Sequence, residues 1–453
     1  MVATFPLFPD ETLDLCELSF GVAPAPALTT IGLADCNNFY AACERVFRPA
    51  LAERAVIVLS NNDGCVIARS AEAKQLGITM GAPVHEVMSL IKQHEVVVCS
   101  ANFALYGDLS RRVMSILSQR VPSLEVYSID EAFLDFAAVP VHVQASFAQN
   151  MRAQIKRWTG IPLSIGIAQT KTLAKLANDW AKKRPSGVLA LSEETINGWL
   201  LGTNIEDVWN IGPRRARFLK QHGVVTAYDL KYANSRWIRQ HLYLPGARTQ
   251  LELRGVPCFP LTNTRTAKQE ITSSRSFGSP VHELADLKEA LAFYATRACE
   301  KLRAQHSLAR TITVFLSTNI FRETEPQYQQ SVTIKLPHAT AYTPEIVNTA
   351  HRAVEHIYQP GYAYHKAGIT LSKLVSDEWV QGELFAEPPD LRQEAAMTVV
   401  DSINKHFGRD TIHVAATGQH KRPADQPPPS WQMKQEHVSP CYTTRWNELA
   451  QAQ

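Results

Sequence analysis

Two groups of acidic residues follow apolar stretches in the N-terminal part of the chain. Asp35 follows the apolar residues 31–34, and the pair Asp130 and Glu131 follows residues 127–129. Neighbouring carboxylates at the edge of an apolar strand repel each other, and a hard divalent cation relieves that repulsion. Two Mg²⁺ ions about 3.5–4 Å apart can activate a hydroxyl and stabilise a leaving pyrophosphate. The same acids could also be surface turn or cap residues, and composition does not decide between these interpretations.

The pattern of apolar residues predicts the elements that would hold these acids. Short apolar runs predict strands, and apolar residues at three- and four-residue spacing predict helices. Strands are expected at residues 31–34, 55–59, 125–129, 133–136 and 163–168, and helices at residues 143–158 and 170–182. Strands and helices mixed in this order indicate an α+β sheet domain rather than a strict βαβ repeat.

The second half of the chain predicts a helical region and then another α+β unit. Residues 191–261 have a helical pattern with glycine and proline breaks, and residues 263–271 have the character of a polar linker. Beyond it we expect a helix at residues 287–305 and strands near residues 311–316, 331–336 and 367–371. After residue 377 the pattern weakens, with proline clusters as breakers.

Length and composition limit the class of protein. A chain of 453 residues predicts three or four domains, and a hydrophobic content of 45% with 20% charged residues is typical of a soluble globular protein. The net charge of +3 does not by itself indicate a nucleic-acid partner. Eight cysteines without a CxxC pair argue against a zinc site or a disulfide framework. With no apolar run of transmembrane length and no secretory signal, we expect a cytoplasmic protein without a membrane partner.

Several motifs in this order resemble a known family. They are Asp35-x-Asn37-x-Phe39-Tyr40, SNNDGCVIAR at residues 60–69, EAKQLG at residues 72–77 and SIDEAFLD at residues 128–135. Together they resemble the catalytic signature of Y-family (lesion-bypass) DNA polymerases. This version is typical of the UmuC branch, which includes the catalytic subunit of DNA polymerase V. The resemblance extends from about residue 31 to residue 446.

The resemblance implies a right-hand architecture of the α+β class. A ferredoxin-like palm is expected at residues 30–192, with small fingers inserted at about residues 39–103. A helical thumb with a helix–hairpin–helix turn is expected at residues 193–261, and an α+β little finger at residues 266–376. Residues 377–453 would form a loosely ordered tail. Residues 1–29 would be a flexible extension, which is a departure from the family and has no function that the resemblance implies.

The resemblance also implies a catalytic centre. Asp35, Asp130 and Glu131 match the catalytic carboxylates that bind two Mg²⁺ ions. Cys36 matches the position whose backbone carbonyl also contacts metal.

Three further residues match positions that contact the incoming nucleotide. Tyr40 matches the steric gate, the aromatic side chain that excludes a ribose 2′-hydroxyl. Lys74 and Lys175 match residues on the triphosphate, although many members have arginine at the position of Lys74 and tyrosine at that of Ala71. Because lysine lacks the bidentate fork of arginine, this departure affects how tightly the nucleotide is held. Without the resemblance, Tyr40 could be an ordinary core residue and Lys175 a solvated one.

Two segments resemble the family's DNA-contacting parts. Residues 208–215 resemble a helix–hairpin–helix turn, which would present Gly212, Arg214 and Arg215 to phosphate. Asn210 occupies a position that is usually glycine, and asparagine tolerates a left-handed φ. The alternative is a basic, solvated helix face. At the entry to the little finger, Arg275 is expected to contact template phosphate.

The C-terminal part carries two candidate partner segments. Gln381, Leu384 and Phe385 form a QxxLF pattern that resembles the peptide by which bacterial polymerases bind the sliding clamp. The pattern is weak on its own, and its position after the second α+β unit supports the assignment. The aromatic residues between Trp431 and Trp446 resemble the UmuC tail. They could bind a partner, or they could pack back on the catalytic core.

The resemblance therefore implies an error-prone translesion DNA polymerase in the bacterial SOS response. It would act on primer–template DNA and dNTPs, with a cleaved UmuD dimer, RecA and the sliding clamp as protein partners. One alternative is a non-catalytic brake that binds DNA and the clamp, and the acidic residues at all three metal-ligand positions favour the enzyme. A second alternative, a ferredoxin-like nucleotidyl cyclase, needs no template, so the hairpin turn and the little finger argue against it.

Overall fold

The computed structural model describes residues 30–263, 267–378, 391–418 and 429–449. These residues divide into two compact units. The first contains residues 30–58, 66–263 and 437–449, and the second contains residues 59–65, 267–378, 391–418 and 429–436. No helix in these described ranges combines the length and the apolar character that crossing a bilayer requires.

Residues 31–190 form two sheets with six helices. In chain order the elements are β1 (Ile31–Cys36), α1 (Phe39–Val46), β2 (Val56–Leu59), β3 (Val66–Arg69), α2 (Ala71–Gln75), α3 (Val84–Gln93), β4 (Val97–Ser100), α4 (Phe103–Ser118), β5 (Leu124–Val126), β6 (Glu131–Asp135), α5 (Val141–Thr159), β7 (Leu163–Ala168), α6 (Lys171–Ala181) and β8 (Val188–Ala190). One sheet has the order β5-β6-β1-β7-β8, and the smaller sheet has the order β3-β2-β4.

Strand β1 lies at the centre of the larger sheet and is buried on both faces. It pairs antiparallel with β6 on one side and with β7 on the other. Ala34 and Cys36 belong to the hydrophobic cluster that includes residues of α1, α4 and α5, whereas Ile31 and Leu33 belong to the cluster that includes α6. Because successive side chains of a strand point to opposite faces, Asp35 shares the α6 face of the sheet.

Helix α6 approaches the sheet very closely at Gly166 of β7. A Cβ atom at this position would lie 2.1 Å from the backbone nitrogen of Asn178, so no other residue fits without displacing the helix. The Asn178 side chain then donates hydrogen bonds to the carbonyl oxygens of Leu33, at 2.9 Å, and Ser164, at 3.0 Å. Helix α6 is thereby fixed against β1 and β7.

The first unit continues with four helices: α7 (Glu193–Leu201), α8 (Pro213–Gln221), α9 (Ala227–Tyr232) and α10 (Ser235–Leu253). Thr226 and Asp229 form a capping box at the start of α9, which satisfies backbone donors that a helix start leaves free. Helix α10 is interrupted at Tyr243, which has a φ of 57°, two residues before Pro245. The helical pattern of residues 191–261 therefore corresponds to helices in the structure.

The second unit is an antiparallel sheet covered by helices. Its elements are β9 (Ile271–Val281), α11 (Leu284–Ala304), β10 (Ser307–Thr318), β11 (Gln329–Thr340), α12 (Thr343–Ile357), β12 (Tyr364–Ser372), β13 (Val375–Ser376) and α13 (Leu391–Phe407). The strand order is β11-β10-β12-β9, and β13 pairs with the start of β10. Ile312, Val314 and Leu316 of β10 are buried in the hydrophobic core with residues of α11 and α12.

The C-terminal residues pack within the units to which they belong. Helix α13 was not predicted from the sequence, and it contributes Asp401, whose carboxylate pairs with Arg303 of α11. Trp431 is only 6% exposed, and its Nε1 donates to Glu289 Oε1 at 3.2 Å. In the first unit, the Tyr442 ring stacks on Phe47 with centroids 4.8 Å apart. Tyr442 therefore packs on the unit that holds Asp35, Asp130 and Glu131, as one of the two alternatives expected, whereas Trp431 packs within the second unit. Trp446 is 91% exposed.

Candidate active site

Asp35 and Glu131 are direct partners across the β1–β6 pair. The Cys36 nitrogen donates to the Asp130 carbonyl oxygen at 2.9 Å, which holds the start of β6 against the end of β1. The three acidic residues predicted from the sequence therefore lie at one end of this strand pair. Because directly opposed residues of an antiparallel pair point to the same face, the Asp35 and Glu131 side chains share the α6 side of the sheet.

The sequence prediction of a strand at residues 125–129 is wrong in its extent. Strand β5 ends at Val126, and the next residues form the tight connection to β6. The Ser128 hydroxyl accepts hydrogen bonds from the backbone nitrogens of Asp130, at 3.2 Å, and Glu131, at 3.0 Å. Such a serine turn competes with strand pairing. Asp130 thus lies in the connection, Glu131 begins β6, and β1 extends one residue beyond Asp35, to Cys36.

Two lysines of helix α6 and its C-terminal end pair with these carboxylates. Lys182 Nζ lies 2.8 Å from Asp35 Oδ2. Lys175 Nζ donates to both carboxylate oxygens of Glu131, at 3.0 Å and 2.9 Å. Residues seven apart lie on one face of a helix, so the close packing of α6 brings both ammonium groups to the acidic end of the β1–β6 pair.

Asp35 is a buried carboxyl group with an unusual protonation equilibrium. Burial is the main cause that raises its pKa to about 7, and the nearby Glu131 carboxylate raises it further, while Lys182 opposes the shift. A buried carboxylate is stabilised by positive charge. An additional cation would therefore stabilise the charged form of Asp35.

The donor chemistry at this site fits Mg²⁺, which prefers carboxylate and carbonyl oxygen ligands. Among the residues that the structure describes, no group of three or more His, Cys, Asp and Glu side chains is arranged to hold a metal ion. Lysines pair with Asp35 and Glu131, and the Ser128 hydroxyl donates to Asp130 Oδ1 at 2.6 Å. Binding a cation through all three carboxylates would therefore replace these contacts.

Tyr40 and Lys74 belong to the elements that follow β1. The Tyr40 ring stacks on Tyr106 of α4, with centroids 4.6 Å apart and an interplanar angle of 15°. Lys74 Nζ lies 2.5 Å from Asn38 Oδ1. The pKa of Lys74 is lowered first by burial, and then by the charges of Arg69 and Lys182. Repulsion among these cations favours binding of a polyanion.

Comparison with known proteins assigns the chain to a family. The impB/mucB/samB family matches residues 34–179, and the C-terminal domain of that family matches residues 268–384. The protein UmuC of Salmonella typhimurium (strain LT2) is 42% identical over 423 residues, which cover 92% of this chain and 98% of that protein. The chain belongs to the impB/mucB/samB family. Its similarity to ImpB of Salmonella typhimurium is 41% identity over 92% of this chain and 98% of ImpB.

More distant members and solved structures extend this assignment. DNA polymerase IV of Desulfatibacillum aliphaticivorans is 29% identical, covering 84% of this chain and 95% of that protein. A solved Y-family DNA polymerase chimera, Dbh-Dpo4(243-245)-Dbh, superposes with a TM-score of 0.63 at 20% identity, covering 77% of this chain and 99% of that one. The expected mixed α+β Y-family polymerase fold is thereby confirmed. Residues 394–452 of this family member match a domain of unknown function (DUF4113).

The predicted hairpin turn of this impB/mucB/samB family member has the expected backbone conformation. Asn210 has a φ of 69°, which confirms that asparagine occupies the left-handed region there. Gly212 is the N-cap of α8, and Pro213 is the first residue of that helix. The Arg214 side chain is exposed, while Arg215 Nη1 donates to the Asn210 carbonyl oxygen at 3.1 Å.

Arg275 lies on the covered face of the second sheet, and not on the face that is open to solvent. Its Nη1 contacts the sulfur of Met433 at 3.3 Å, and its charge lowers the pKa of Tyr294 on α11, although burial of that phenol raises the pKa more strongly. The alternate residues of β9, including Thr272, point to the opposite face. There the Thr272 and Thr370 hydroxyls are hydrogen-bonded at 3.0 Å. The phosphate contact of Arg275 stays a prediction.

Sequence reasoning gave no site role to Lys182, Arg69 or the open face of the second sheet. Lys182 could have been found from its position seven residues after Lys175 on one helix face. The open face carries hydroxyls and Lys366, in the register Thr313–Thr370–Thr272 and Ser317–Lys366–Ser276, and alternation along each strand was the available signal. The clamp-peptide residues Gln381, Leu384 and Phe385, like the N-terminal extension, lie outside the described residues.

Proposed function

We propose that this protein is an error-prone translesion DNA polymerase that transfers a dNMP to a primer 3′-hydroxyl under the direction of a template. The observation that carries the proposal is the pairing of Asp35 with Glu131 across β1 and β6, beside Asp130 and opposite the α6 lysines. Family membership and the polymerase fold support it, because UmuC and DNA polymerase IV are among the relatives.

The catalytic centre would be formed by Asp35, Asp130 and Glu131, with the backbone carbonyl of Cys36 as a further ligand. Two Mg²⁺ ions bound there would supply activation of the 3′-hydroxyl and neutralisation of the developing charge. The three carboxylates would hold these ions at one end of the β1–β6 strand pair. Lys175 and Lys182 pair with Glu131 and Asp35 in this structure, and with metal ions on those carboxylates they would turn toward phosphate, since a lysine is a point charge on a flexible stem.

The nucleotide would be held between the acidic strand ends and the cationic side chains. Arg69 and Lys182 both repel Lys74 electrostatically, and these three side chains would bind the triphosphate, with Lys175 joining them from α6. Tyr40 would lie under the sugar as the steric gate. Small fingers, formed here by short helices and a three-stranded sheet, would enclose the new base pair loosely, which explains tolerance of damaged templates and low fidelity.

Binding of primer–template DNA would rely on phosphate contacts without base readout. The hairpin turn at Gly212, with Arg214 and Arg215, presents a helix N-terminus and positive charge. In the second unit, the open face of the sheet offers hydroxyls and Lys366, which are groups that bind phosphate and sugar. Arg275 would contribute a template phosphate contact only if its guanidinium leaves Met433.

The proposal includes the protein partners that the resemblance implies. These are a sliding clamp bound through Gln381, Leu384 and Phe385, a cleaved UmuD dimer, and RecA. They would place the enzyme in SOS mutagenesis and DNA damage tolerance in the bacterial cytoplasm. These partners and this location stay predictions.

Primer extension by the full chain tests the proposal. The purified protein is incubated with primed template, dNTPs and Mg²⁺, and with the UmuD and RecA partners if it is inactive alone. We expect extension that chelation with EDTA abolishes. The variant Asp130→Ala/Glu131→Ala should lose at least about a thousandfold in rate, since the removed carboxylates stabilise transition-state charge. Asp207→Ala, which removes an exposed acidic side chain between α7 and α8, is the acidic control and should retain activity.

DNA binding by the double variant separates the enzyme from the non-catalytic brake. We expect Asp130→Ala/Glu131→Ala to bind primer–template DNA at least as tightly as the wild type, because two negative charges are removed. Binding without extension under any of these conditions, in the wild type as well, would contradict the polymerase and support the brake.

A further inference from the structure

Ser439, near the C-terminus, is buried in the first unit, which also contains Tyr40. Its neighbours belong to elements that support Tyr40. The Ser439 hydroxyl lies 3.1 Å from Glu44 Oε1. Asn102 Nδ2 donates to the Ser439 carbonyl oxygen at 2.9 Å and to its hydroxyl at 3.1 Å. Ser439, Glu44 and Asn102 are all buried. Because its side chain is buried and hydrogen-bonded to these partners, Ser439 is held in one defined position.

The backbone around Ser439 is also attached to the first unit. The backbone nitrogen of Ser100 donates to the His437 carbonyl oxygen at 2.9 Å, and Val438 forms a parallel bridge with Ser100. On the other side of Ser439, Tyr442 stacks on Phe47. The segment 437–442, which we call the docked tail, is therefore held on both sides of its buried serine.

Glu44 connects the docked tail to Tyr106. The Tyr106 hydroxyl donates to Glu44 Oε1 at 2.6 Å, the same oxygen that accepts from Ser439. Glu44 Oε2 is buried without a hydrogen-bond partner among the described residues. One acceptor atom thus fixes a phenol from α4 and a hydroxyl from the docked tail. Loss of either donor would leave the carboxyl group less well positioned.

Tyr106 in turn supports the candidate steric gate. Its ring is stacked on Tyr40, and Phe103 contacts the Tyr40 ring edge-on at 5.9 Å between centroids. Tyr40 and Glu44 lie on the same helix α1, four residues apart, and so on one helix face. The gate residue is therefore held by its own helix and by the ring whose hydroxyl Glu44 binds.

We propose that the docked tail is part of the sugar-discrimination apparatus, with Ser439, Glu44 and Tyr106 acting as positioning residues for Tyr40. The inference rests on the proposed polymerase function and on the role of Tyr40 as steric gate. An aromatic gate excludes a 2′-hydroxyl only if its ring cannot retreat. The bonds from Ser439 through Glu44 to Tyr106 remove that freedom.

Ribonucleotide incorporation by the full chain tests the inference. For the wild type and each variant, kcat/KM is measured for rCTP and for dCTP opposite a template dG, with the partner proteins present. We expect Ser439→Ala and Tyr106→Phe to raise the ratio of rCTP to dCTP incorporation about five- to tenfold, since each removes a hydrogen bond to Glu44 that positions the gate. The kcat/KM for dCTP should stay within twofold of the wild-type value. General structural damage would instead lower kcat/KM for both rCTP and dCTP.

Matched variants separate positioning from other effects. Glu44→Gln keeps an acceptor oxygen and should retain the wild-type ratio, whereas Glu44→Ala should raise it. Ser118→Ala removes an exposed hydroxyl at the end of α4 and should leave the ratio unchanged. Tyr40→Ala should raise the ratio more than any of the positioning variants.

The outcomes distinguish this inference from the proposed function. If Tyr40→Ala raises the ratio while Ser439→Ala and Tyr106→Phe stay within twofold of wild type, the role of the docked tail is wrong and the polymerase assignment stands. If Tyr40→Ala also leaves the ratio unchanged, the gate assignment is wrong, and this inference is wrong with it. A wild-type chain that extends no primer with all partners present would overturn the polymerase function itself.

Discussion

Asp35 of β1 and Glu131 of β6 face each other as a direct cross-strand pair, and each carboxylate is bound by a different lysine of the α6 region. Two acids opposed in this way repel each other, which is unfavourable for folding unless positive charge is near. The lysines provide that charge from the protein itself. A cation that entered this site would therefore replace internal ion pairs instead of meeting bare carboxylates.

Removal of Lys182 should destabilise the protein most at alkaline pH. In Lys182→Met, Asp35 loses its partner, so its already raised pKa should rise further. We expect a loss of roughly 1–2 kcal/mol in unfolding free energy at pH 8, allowing for the partial exposure of the lysine. At pH 5 the loss should be smaller, because Asp35 is then protonated in the folded state and needs no partner.

Urea unfolding of the two proteins at pH 8 and pH 5, without divalent ions, measures this difference. Lys183→Met, which removes an exposed neighbouring lysine, is the control and should have little effect at either pH. An equal loss for Lys182→Met at both values would show that the Asp35 pair is not the cause.

The elements of the site followed from the sequence, but their connections did not. Apolar residues 163–168 predicted β7 with its observed bounds, and the amphipathic pattern at residues 170–182 predicted α6. The turn before β6 was missed because Ser128 binds two backbone nitrogens through its side chain, a preference that apolar spacing does not record. The lysine pairs depend on how closely α6 approaches the sheet, which is a tertiary property.

Helix α13 shows a different limit of sequence reasoning. Its position after a proline-rich stretch, and its many partly exposed apolar side chains, weaken the amphipathic pattern that identifies a helix. It is attached to the second unit by the ion pair of Asp401 with Arg303. That arginine is itself held by the Ala341 carbonyl and the Thr343 hydroxyl. A helix stabilised by such tertiary contacts carries little signal of its own.

Substitution of Gly166 should disrupt the site through α6. In Gly166→Ala, the added Cβ would meet the Asn178 nitrogen at 2.1 Å, together with two other backbone atoms of α6. Because backbone cannot turn aside as a side chain can, we expect a loss of at least about 2 kcal/mol in stability and a large fall in extension activity. Chemical denaturation and primer extension measure the two effects.

Gly198 in α7 provides the matched control for Gly166. A Cβ added there meets no atom within 4 Å, so Gly198→Ala should be neutral or stabilising by about 0.5–1 kcal/mol, the usual gain in a helix. If Gly166→Ala were as well tolerated as Gly198→Ala, the close approach of α6 to β7 would not be required for the fold.

Asn210 should be replaceable by glycine but not by a β-branched residue. Its φ of 69° lies in the left-handed region, which glycine adopts freely and valine does not. We expect Asn210→Gly to stay within about 0.5 kcal/mol of the wild type and Asn210→Val to lose roughly 1–2 kcal/mol. Fluorescence anisotropy with labelled primer–template should show weaker DNA binding for the valine variant only. Equal binding by the wild type and both variants would show that the turn has no part in binding.

Glu44 should make the stability of the first unit depend on pH. Burial is the main cause that raises its pKa, while bonds from Tyr106 and Ser439 and the charge of Arg48 lower it less strongly. Between the ordinary glutamate pKa of about 4.3 and the raised folded value, the folded state binds more protons than the unfolded state. The unfolding free energy contributed by Glu44 therefore falls as the pH rises through that interval.

The variant Glu44→Gln removes this titration while keeping an acceptor for Tyr106 and Ser439. Its stability relative to the wild type should increase as the pH rises through the raised pKa of folded Glu44, because only the wild type must then bury a charge. Urea unfolding at several pH values measures the difference, with the exposed Glu53→Gln as control. A difference that stays flat with pH would mean that Glu44 is ionised as readily in the folded state as in the unfolded one. The shared oxygen of Glu44 would then hold Tyr106 and Ser439 as a charged acceptor, and breaking either bond should cost correspondingly more.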